Sequence, residues 1–299
     1  MNATTARTLS PLPRALFEPL VRAALVEDLG LGGDVTSEAT VPAGLRANAA
    51  FVARQAGVLA GLDAALEAFR ILDPETAFDV RLRDGDRVAP GTTIAHVTSD
   101  ARALLGAERT ALNLLCHLSG IATATSRYVD AAGGRAAIAE TRKTLPGLRA
   151  LQKYAVRAGG GANHRFRLDD AILIKDNHVA LAGGIAPALD RARERAGHLM
   201  KVEIEVDTLA QLYEVLAHPH GADAILLDNF SLDDLAVAVR RARSRDARGL
   251  GRHHARHGRR GRGHRRRRDF DRRADTLRHG PRHRPRHPRP FDKLRVTSR

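Results

Sequence analysis

Five basic side chains, Arg142, Lys143, His164, Arg165 and Lys175, fall within one stretch of the chain running from Glu140 to His178. Together they form a candidate anion pocket. Arginine grips a carboxylate through two parallel hydrogen bonds, whereas lysine acts as a compact point charge. A buried cluster of cations is costly unless an anion fills it, so a site of this kind implies a ligand with carboxylates or phosphates, and more than one of them. Any one of these residues alone reads most simply as a solvated surface charge. Acids complement the cations further on. Lys201-Val202-Glu203-Ile204-Glu205-Val206 alternates, placing two carboxylates on one strand face, and Asp228 follows the apolar run Ala224-Ile225-Leu226-Leu227. On a barrel strand such acids need cationic or metal partners, because solvent covers neither face.

The elements that must position these groups can be read from periodicity. Ala136–Glu140, Ala171–Lys175, Lys201–Val206 and Ala224–Leu227 have the length and apolar character of buried strands. Between the later ones, Ile185, Leu189, Ala192 and Ala196 mark one helix and Leu209, Leu212, Val215 and Leu216 another. Alternating strands and helices predict a parallel α/β sheet or barrel, whose strand carboxyl ends face the ligand. Arg142, Lys143, Lys175 and Asp228 fall at or just beyond such ends.

The N-terminal half reads differently. Residues 1 to 15 suggest a loosely attached segment, followed by a helix from Leu16 that stops at Gly30. Gly33 to Ser37 reads as a loop. Ala47–Arg54, Phe78–Arg83 and Thr93–Val97 alternate as strands, Leu62–Ile71 carries a helical stripe, and Asp84-Gly85-Asp86 suggests a hairpin turn. A small α/β sandwich domain is expected. From Ala101 a helical pattern of leucines runs until Ser119-Gly120 interrupts it. Gly159-Gly160-Gly161 alone is a weak phosphate-loop signal, and there is no P-loop or dinucleotide fingerprint.

At these positions the chain resembles the quinolinate phosphoribosyltransferase family, the carboxylating nicotinate-nucleotide pyrophosphorylases. The matching segments are ETRKTLPGLR, GGGANHR, LIKDNH, VEIEVD and LLDN, with EDLGLGGDVTS and GAERTALNLLCHLSGIAT upstream. The family usually has Asp where this chain has Glu140. The resemblance covers about Leu20 to Arg240 and implies an N-terminal α/β sandwich domain followed by a six-stranded α/β barrel. It implies a pentosyltransferase that joins quinolinate to phosphoribosyl pyrophosphate, giving nicotinate mononucleotide, pyrophosphate and carbon dioxide in NAD biosynthesis. By resemblance Arg142, His164, Arg165 and Lys175 hold the quinolinate carboxylates, with Thr141 beside them. Lys143 contacts the phosphoribosyl donor. Glu205 and Asp228 bind the ribose hydroxyls and Mg²⁺, so Lys143, Glu205 and Asp228 carry the catalytic roles. Arg109 reaches into the other subunit of a homodimer, where the plainer reading is a helix-surface arginine. Arg167 replaces a frequent Gly, which would strain the chain if that position needs φ > 0.

A net charge of +15 suggests a nucleic-acid binder, but the charge is unevenly placed. Residues 240 to 299 hold 24 Lys/Arg against 5 Asp/Glu, so the preceding body is net −4. The basic residues sit outside any patterned element, with Phe270 and Phe291 the tail's only aromatics, whereas a binder places charge on folded elements or beside stacking rings. A nicotinate-type phosphoribosyltransferase of the same barrel class is the closer rival; its substrate has one carboxylate, for which five cations are too many. Cys116 is the only cysteine and fits a reducing, cytoplasmic setting. No apolar run is long enough to span a membrane, and no signal-peptide layout opens the chain.

The domains expected are a helical segment over 1–25, an α/β sandwich over 26–115, an incomplete barrel over 116–240 and an unpatterned basic tail over 241–299. The tail has a specific reading. Residues Arg248 to Arg265 can be encoded so that the frame one base later gives EASGATTLDTVAAVAATG, which resembles the family's next strand, phosphate-binding loop and helix. One inserted base, or two lost, near Arg240 to Arg245 accounts for this. About four of the six barrel strands would then be present, both phosphate loops would be missing, and this chain would be inactive.

Overall fold

The computed structural model describes residues 9–246 and 295–297, which divide into two compact units. Of the described residues, the first takes 9–134, Ile138–Asn163 and Arg295–Thr297, and the second takes Arg135–Ala137 and 164–246.

The first unit begins with a single 3₁₀ turn (Arg14–Leu16), then α1 (Glu18–Leu29) and α2 (Val35–Thr40). Leu9 and Leu12 pack on the core, and Arg14 donates to buried Glu67 at 2.6 Å, so residues 9–15 are attached rather than loose. Helix α1 ends at Gly30 with φ 56°, as expected. The expected loop at Gly33–Ser37 is instead the start of α2. Asp34 caps it by accepting from the Ser37 N–H at 3.0 Å, and that side-chain bond is what makes so short a helix start there.

Strands β1 (Arg46–Val52), β3 (Ala77–Val80), β5 (Thr93–Asp100) and β9 (Arg295–Thr297) form one antiparallel sheet in the order β3-β5-β1-β9, and β2 (Gly57–Val58) pairs with β4 (Arg87–Val88). Helix α3 (Leu62–Leu72) and the 32-residue α4 (Ala101–Ala132) complete the core with Phe51, Phe69, Ile94, Leu104, Leu115 and Leu118. The turn at Asp84–Asp86 is present, with Gly85 at φ 97°, but it joins strands of different sheets and is no hairpin. Helix α4 runs straight through Ser119-Gly120. A mid-helix glycine costs about 1 kcal/mol against alanine, less than the buried leucine face on either side supplies. Ser119 is buried and bonds both the N–H and the carbonyl of Ala60. All of α4 lies in the first unit, so the boundary expected at 115/116 falls inside a helix.

The second unit is a parallel sheet, β6 (Ile172–Ile174), β7 (Val202–Val206) and β8 (Ala224–Leu227) in that order, with α6 (Asp176–Ala182) and α7 (Ile185–Arg195) after β6, α8 (Leu209–Ala217) after β7 and α9 (Leu232–Asp246) after β8. This is the strand–helix alternation expected of a barrel arc. Val202, Ile204 and Val206 point to a core shared with Leu189, Leu212 and Val215. The expected strand Ala136–Glu140 is reduced to one parallel bridge, Ala139 to Ala162.

Helix α9 continues to Asp246, beyond the boundary set at residue 240, and buries Ala238. Three residues of the basic tail, Arg295–Thr297, pair with β1. The remaining tail, including the segment read in a shifted frame, lies outside the described residues.

Candidate active-site residues

In the second unit the strand register sets the site residues side by side. Ile174 pairs with Ile204 and Glu205 with Leu226, so Lys175, Glu205 and Asp228 occupy neighbouring carboxyl ends. Lys175 donates from Nζ to Glu205 Oε2 at 3.0 Å. One strand pitch earlier on the same face, Glu203 meets His164 Nε2. The two acids that the alternating strand placed together thus each have a cationic or titratable partner. Glu203 as the partner of His164 was not singled out from sequence, although the alternation that put Glu205 on the site face puts Glu203 there too. Arg165 is anchored by donating from Nη1 to the Ala171 carbonyl at 3.0 Å.

Asp228 is fixed by its own backbone, whose N–H donates to the Val206 carbonyl at 3.0 Å. Asn229 follows in the left-handed region at φ 53°, the only non-glycine there among the described residues. Its amide donates to Asp228 Oδ2 at 3.1 Å. Asparagine tolerates that backbone better than most residues, which explains its place after the strand. Arg167 is not in that region, so the strain expected for it is absent; it makes an exposed ion pair with Asp169 at 3.2 Å.

In the first unit Thr141, Arg142 and Lys143 sit on an irregular loop. The Lys143 N–H donates to Thr141 Oγ1 at 3.1 Å, a turn that spreads the two cations. Arg142 Nε is shielded from solvent yet has no hydrogen-bond partner. A buried unpaired donor costs about 1–3 kcal/mol, and an anion bound to Arg142 would remove that cost. The loop lies against α5 (Arg149–Ala158), whose Lys153 is buried and paired with Glu140. The glycines after α5 serve packing. A Cβ on Gly159 would lie 2.3 Å from the Ala122 carbonyl, and one on Gly161 2.7 Å from a Val156 methyl. Only glycines let this turn approach α4 so closely. Arg109 lies exposed on α4.

A parallel strand–helix unit with cations and carboxylates at its strand ends, in a chain that also carries an antiparallel unit, fits a class: enzymes that hold an acidic small molecule at the carboxyl edge of an α/β barrel. Family models narrow the class to one family. The C-terminal domain of quinolinate phosphoribosyl transferase matches residues 121–251, and its N-terminal domain matches residues 34–119. The chain belongs to the quinolinate phosphoribosyl transferase family. It is 51% identical to a carboxylating nicotinate-nucleotide pyrophosphorylase of Mycobacterium leprae, over 74% of this chain and 78% of that one. A probable enzyme of the same name from Bacillus subtilis is 44% identical over 71% of this chain and 73% of that one. Among solved structures, NadC from Streptococcus pyogenes superposes with a TM-score of 0.76 at 39% identity, covering 83% of this chain and 85% of that one.

Among the described residues no helix is long and apolar enough to cross a membrane.

Proposed function

We propose that this fold transfers a phosphoribosyl group from phosphoribosyl pyrophosphate to the ring nitrogen of quinolinate, releasing pyrophosphate and carbon dioxide and forming nicotinate mononucleotide. The observation that carries this reading is the Lys175–Glu205 pair set beside Asp228 at adjacent strand ends in a chain of this family. Within the second unit His164, Arg165 and Lys175 offer cations for substrate carboxylates; within the first, Arg142 offers a shielded Nε without a hydrogen-bond partner, and Lys143 is read, by the family resemblance, as a contact to the donor. The Lys175 side chain is 47% exposed while paired to Glu205. A ligand carboxylate can therefore reach it without first displacing its partner.

The chemistry asks two things of these groups. As the bond from the ribose to pyrophosphate breaks, positive charge grows on the sugar, and Glu205 and Asp228 stabilise it while holding its hydroxyls. When carbon dioxide leaves, the electron pair of the broken carbon–carbon bond stays on the ring, which neighbouring cations favour, and a proton from solvent then takes the vacated position. Arginine and lysine also hold the ring nitrogen at attacking distance, so that encounter entropy is removed beforehand. No three His, Cys, Asp or Glu side chains group as metal ligands among the described residues. Two carboxylates suit Mg²⁺, which takes hard oxygen donors and completes its shell with phosphates and water. Held by Glu205 and Asp228, it would neutralise the departing pyrophosphate.

We further infer a homodimer, in which Arg109 serves the partner's site, in the cytoplasm. The tail is read as the product of a shifted frame; the family match stopping at residue 251 supports this. Incubating the frame-corrected protein with quinolinate, phosphoribosyl pyrophosphate and Mg²⁺ should yield nicotinate mononucleotide. Turnover with nicotinate and none with quinolinate would overturn the assignment.

A further inference from the structure

Arg142 and Lys143 sit on a loop without regular structure, yet two cations can hold an acidic substrate and its donor in reacting geometry only if their separation is held. Helix α5 holds it. Arg149, Gln152 and Lys153 are spaced i, i+3 and i+4, which places them on one helical face. Each bonds the loop. Arg149 Nε donates to Thr144 Oγ1 at 3.1 Å, Gln152 Oε1 accepts the Leu145 N–H at 3.0 Å, and Lys153 Nζ pairs with Glu140 Oε1. Glu140 Oε2 accepts in turn from Asn163 Nδ2 at 3.2 Å, and the same amide donates to the Lys153 carbonyl at 2.9 Å. The loop is therefore gripped at residue 140 and again at 144 and 145, on either side of Arg142 and Lys143.

The helix is itself fastened from behind. Gln152 meets His117 of α4 at 2.8 Å, and the Tyr154 hydroxyl donates to Asp84 at 2.9 Å. Asp84 also accepts the N–H groups of Gly61 and Leu62 at the start of α3. Lys153 is 1% exposed. Replacing a buried ion pair by apolar residues is often neutral or stabilising, so fold stability alone gives no reason for a lysine here. A fixed loop does.

We propose that α5 is the positioning element of the anion-binding loop, with Lys153 and Gln152 as positioning residues that act through Glu140 and the Leu145 N–H. The ligand named in the test, quinolinate, rests on the function proposed above. The frame-corrected protein and its Lys153→Met and Gln152→Leu variants should be compared by amide hydrogen exchange and by calorimetric titration with quinolinate. Exchange over residues 141–145 should rise in both variants, with β1 and α3 unchanged. Quinolinate affinity should fall by about tenfold or more, the scale of one lost charge-assisted bond, although Arg142 and Lys143 are intact. Adding Glu140→Met to Lys153→Met should cost less than Glu140→Met costs alone, because the two act as a unit. If Lys153→Met does not fold, Gln152→Leu carries the test. Unchanged loop exchange, unchanged affinity, or a rise spread equally over β1 and α3 would overturn the proposal. Should the frame-corrected protein without these substitutions bind no quinolinate, the substrate reading fails, and loop exchange alone then decides the role of α5.

Discussion

The two units hold their site residues by different means. In the second, Lys175, Glu205 and Asp228 follow strands whose parallel ladder fixes their Cα positions, and each side chain needs one local partner at most. In the first, Arg142 and Lys143 have no ladder beneath them, and a set of side-chain bonds from α5 takes its place. A strand end tolerates change around it because backbone bonds do the positioning. A loop does not, and its support must be buried and specific.

The largest expected effect bears on the ladder side. The sheet described here ends at β8, with α9 as its last element before residue 247. An apolar strand edge without a neighbour invites association with other chains. The 5′-phosphate of the donor also needs backbone amides at fixed positions, which the loops read as lost to the shifted frame would have supplied. Expressed as given, residues 1–299 should yield little soluble protein and no measurable turnover, whereas the frame-corrected chain should be active. A soluble dimer of the given chain with activity near that of the corrected one would show the shifted-frame reading to be wrong.

Next in size is a charge change at a ladder-held residue. In the corrected protein, Glu205→Gln should lower kcat by about 10²–10³, as removing one transition-state electrostatic contact does, with quinolinate affinity nearly kept. Arg142→Ala on the loop side should act in the other sense, raising the Michaelis constant for quinolinate by about ten- to a hundredfold, from about 1.5–3 kcal/mol for a charge-assisted bond. If both substitutions moved the same kinetic parameter by the same factor, the division of labour between ladder and loop would fall.

The ladder side was the more legible in sequence. The alternation of Lys201–Val206 and the apolar run Ala224–Leu227 gave β7 and β8 nearly to the residue, and with them the positions of Glu205 and Asp228. The loop side was legible only as a list of cations. Nothing in the spacing of Arg149, Gln152 and Lys153 distinguishes a face that holds a loop from an ordinary polar face, since the partner at Glu140 is set by tertiary packing. Ser119-Gly120 misled for a related reason: local propensity signals a break, and burial against α3 and β2 overrides it. Ala136–Glu140 failed as a strand because residues 138 and 139 bond only to the segment at Ala162, through a single bridge.

The smallest effect isolates the loop support through pH. Gln152 Oε1 accepts the Leu145 N–H, which turns its amide NH₂ toward His117 Nε2 at 2.8 Å; that nitrogen must therefore be an acceptor, and the ring neutral with its proton on Nδ1. Burial pushes the His117 pKa below its ordinary 6.5. The sign follows from which state takes the proton first. As pH falls through 6.5 the unfolded chain binds it while the native ring resists, so the stability held in full above 6.5 is lost progressively until the lower native value is passed. Asp34 and Asp73 are held below 3.8 chiefly by hydrogen bonds from Ser37 and from the Asp100 N–H, and Asp223, although burial pushes it up, by the Val202 N–H, Lys201 and Arg193; what they contribute is present above 3.8 and lost as pH falls below it. Between pH 6.5 and 5 the His117 effect is thus separate from these carboxylates. Denaturant midpoints measured across that window should drift down in the frame-corrected protein and drift less in its His117→Gln variant, whose amide oxygen can still accept from Gln152 and does not titrate. Identical drifts in the two proteins would remove His117 from the support of α5 and leave Lys153 and Asp84 to hold it.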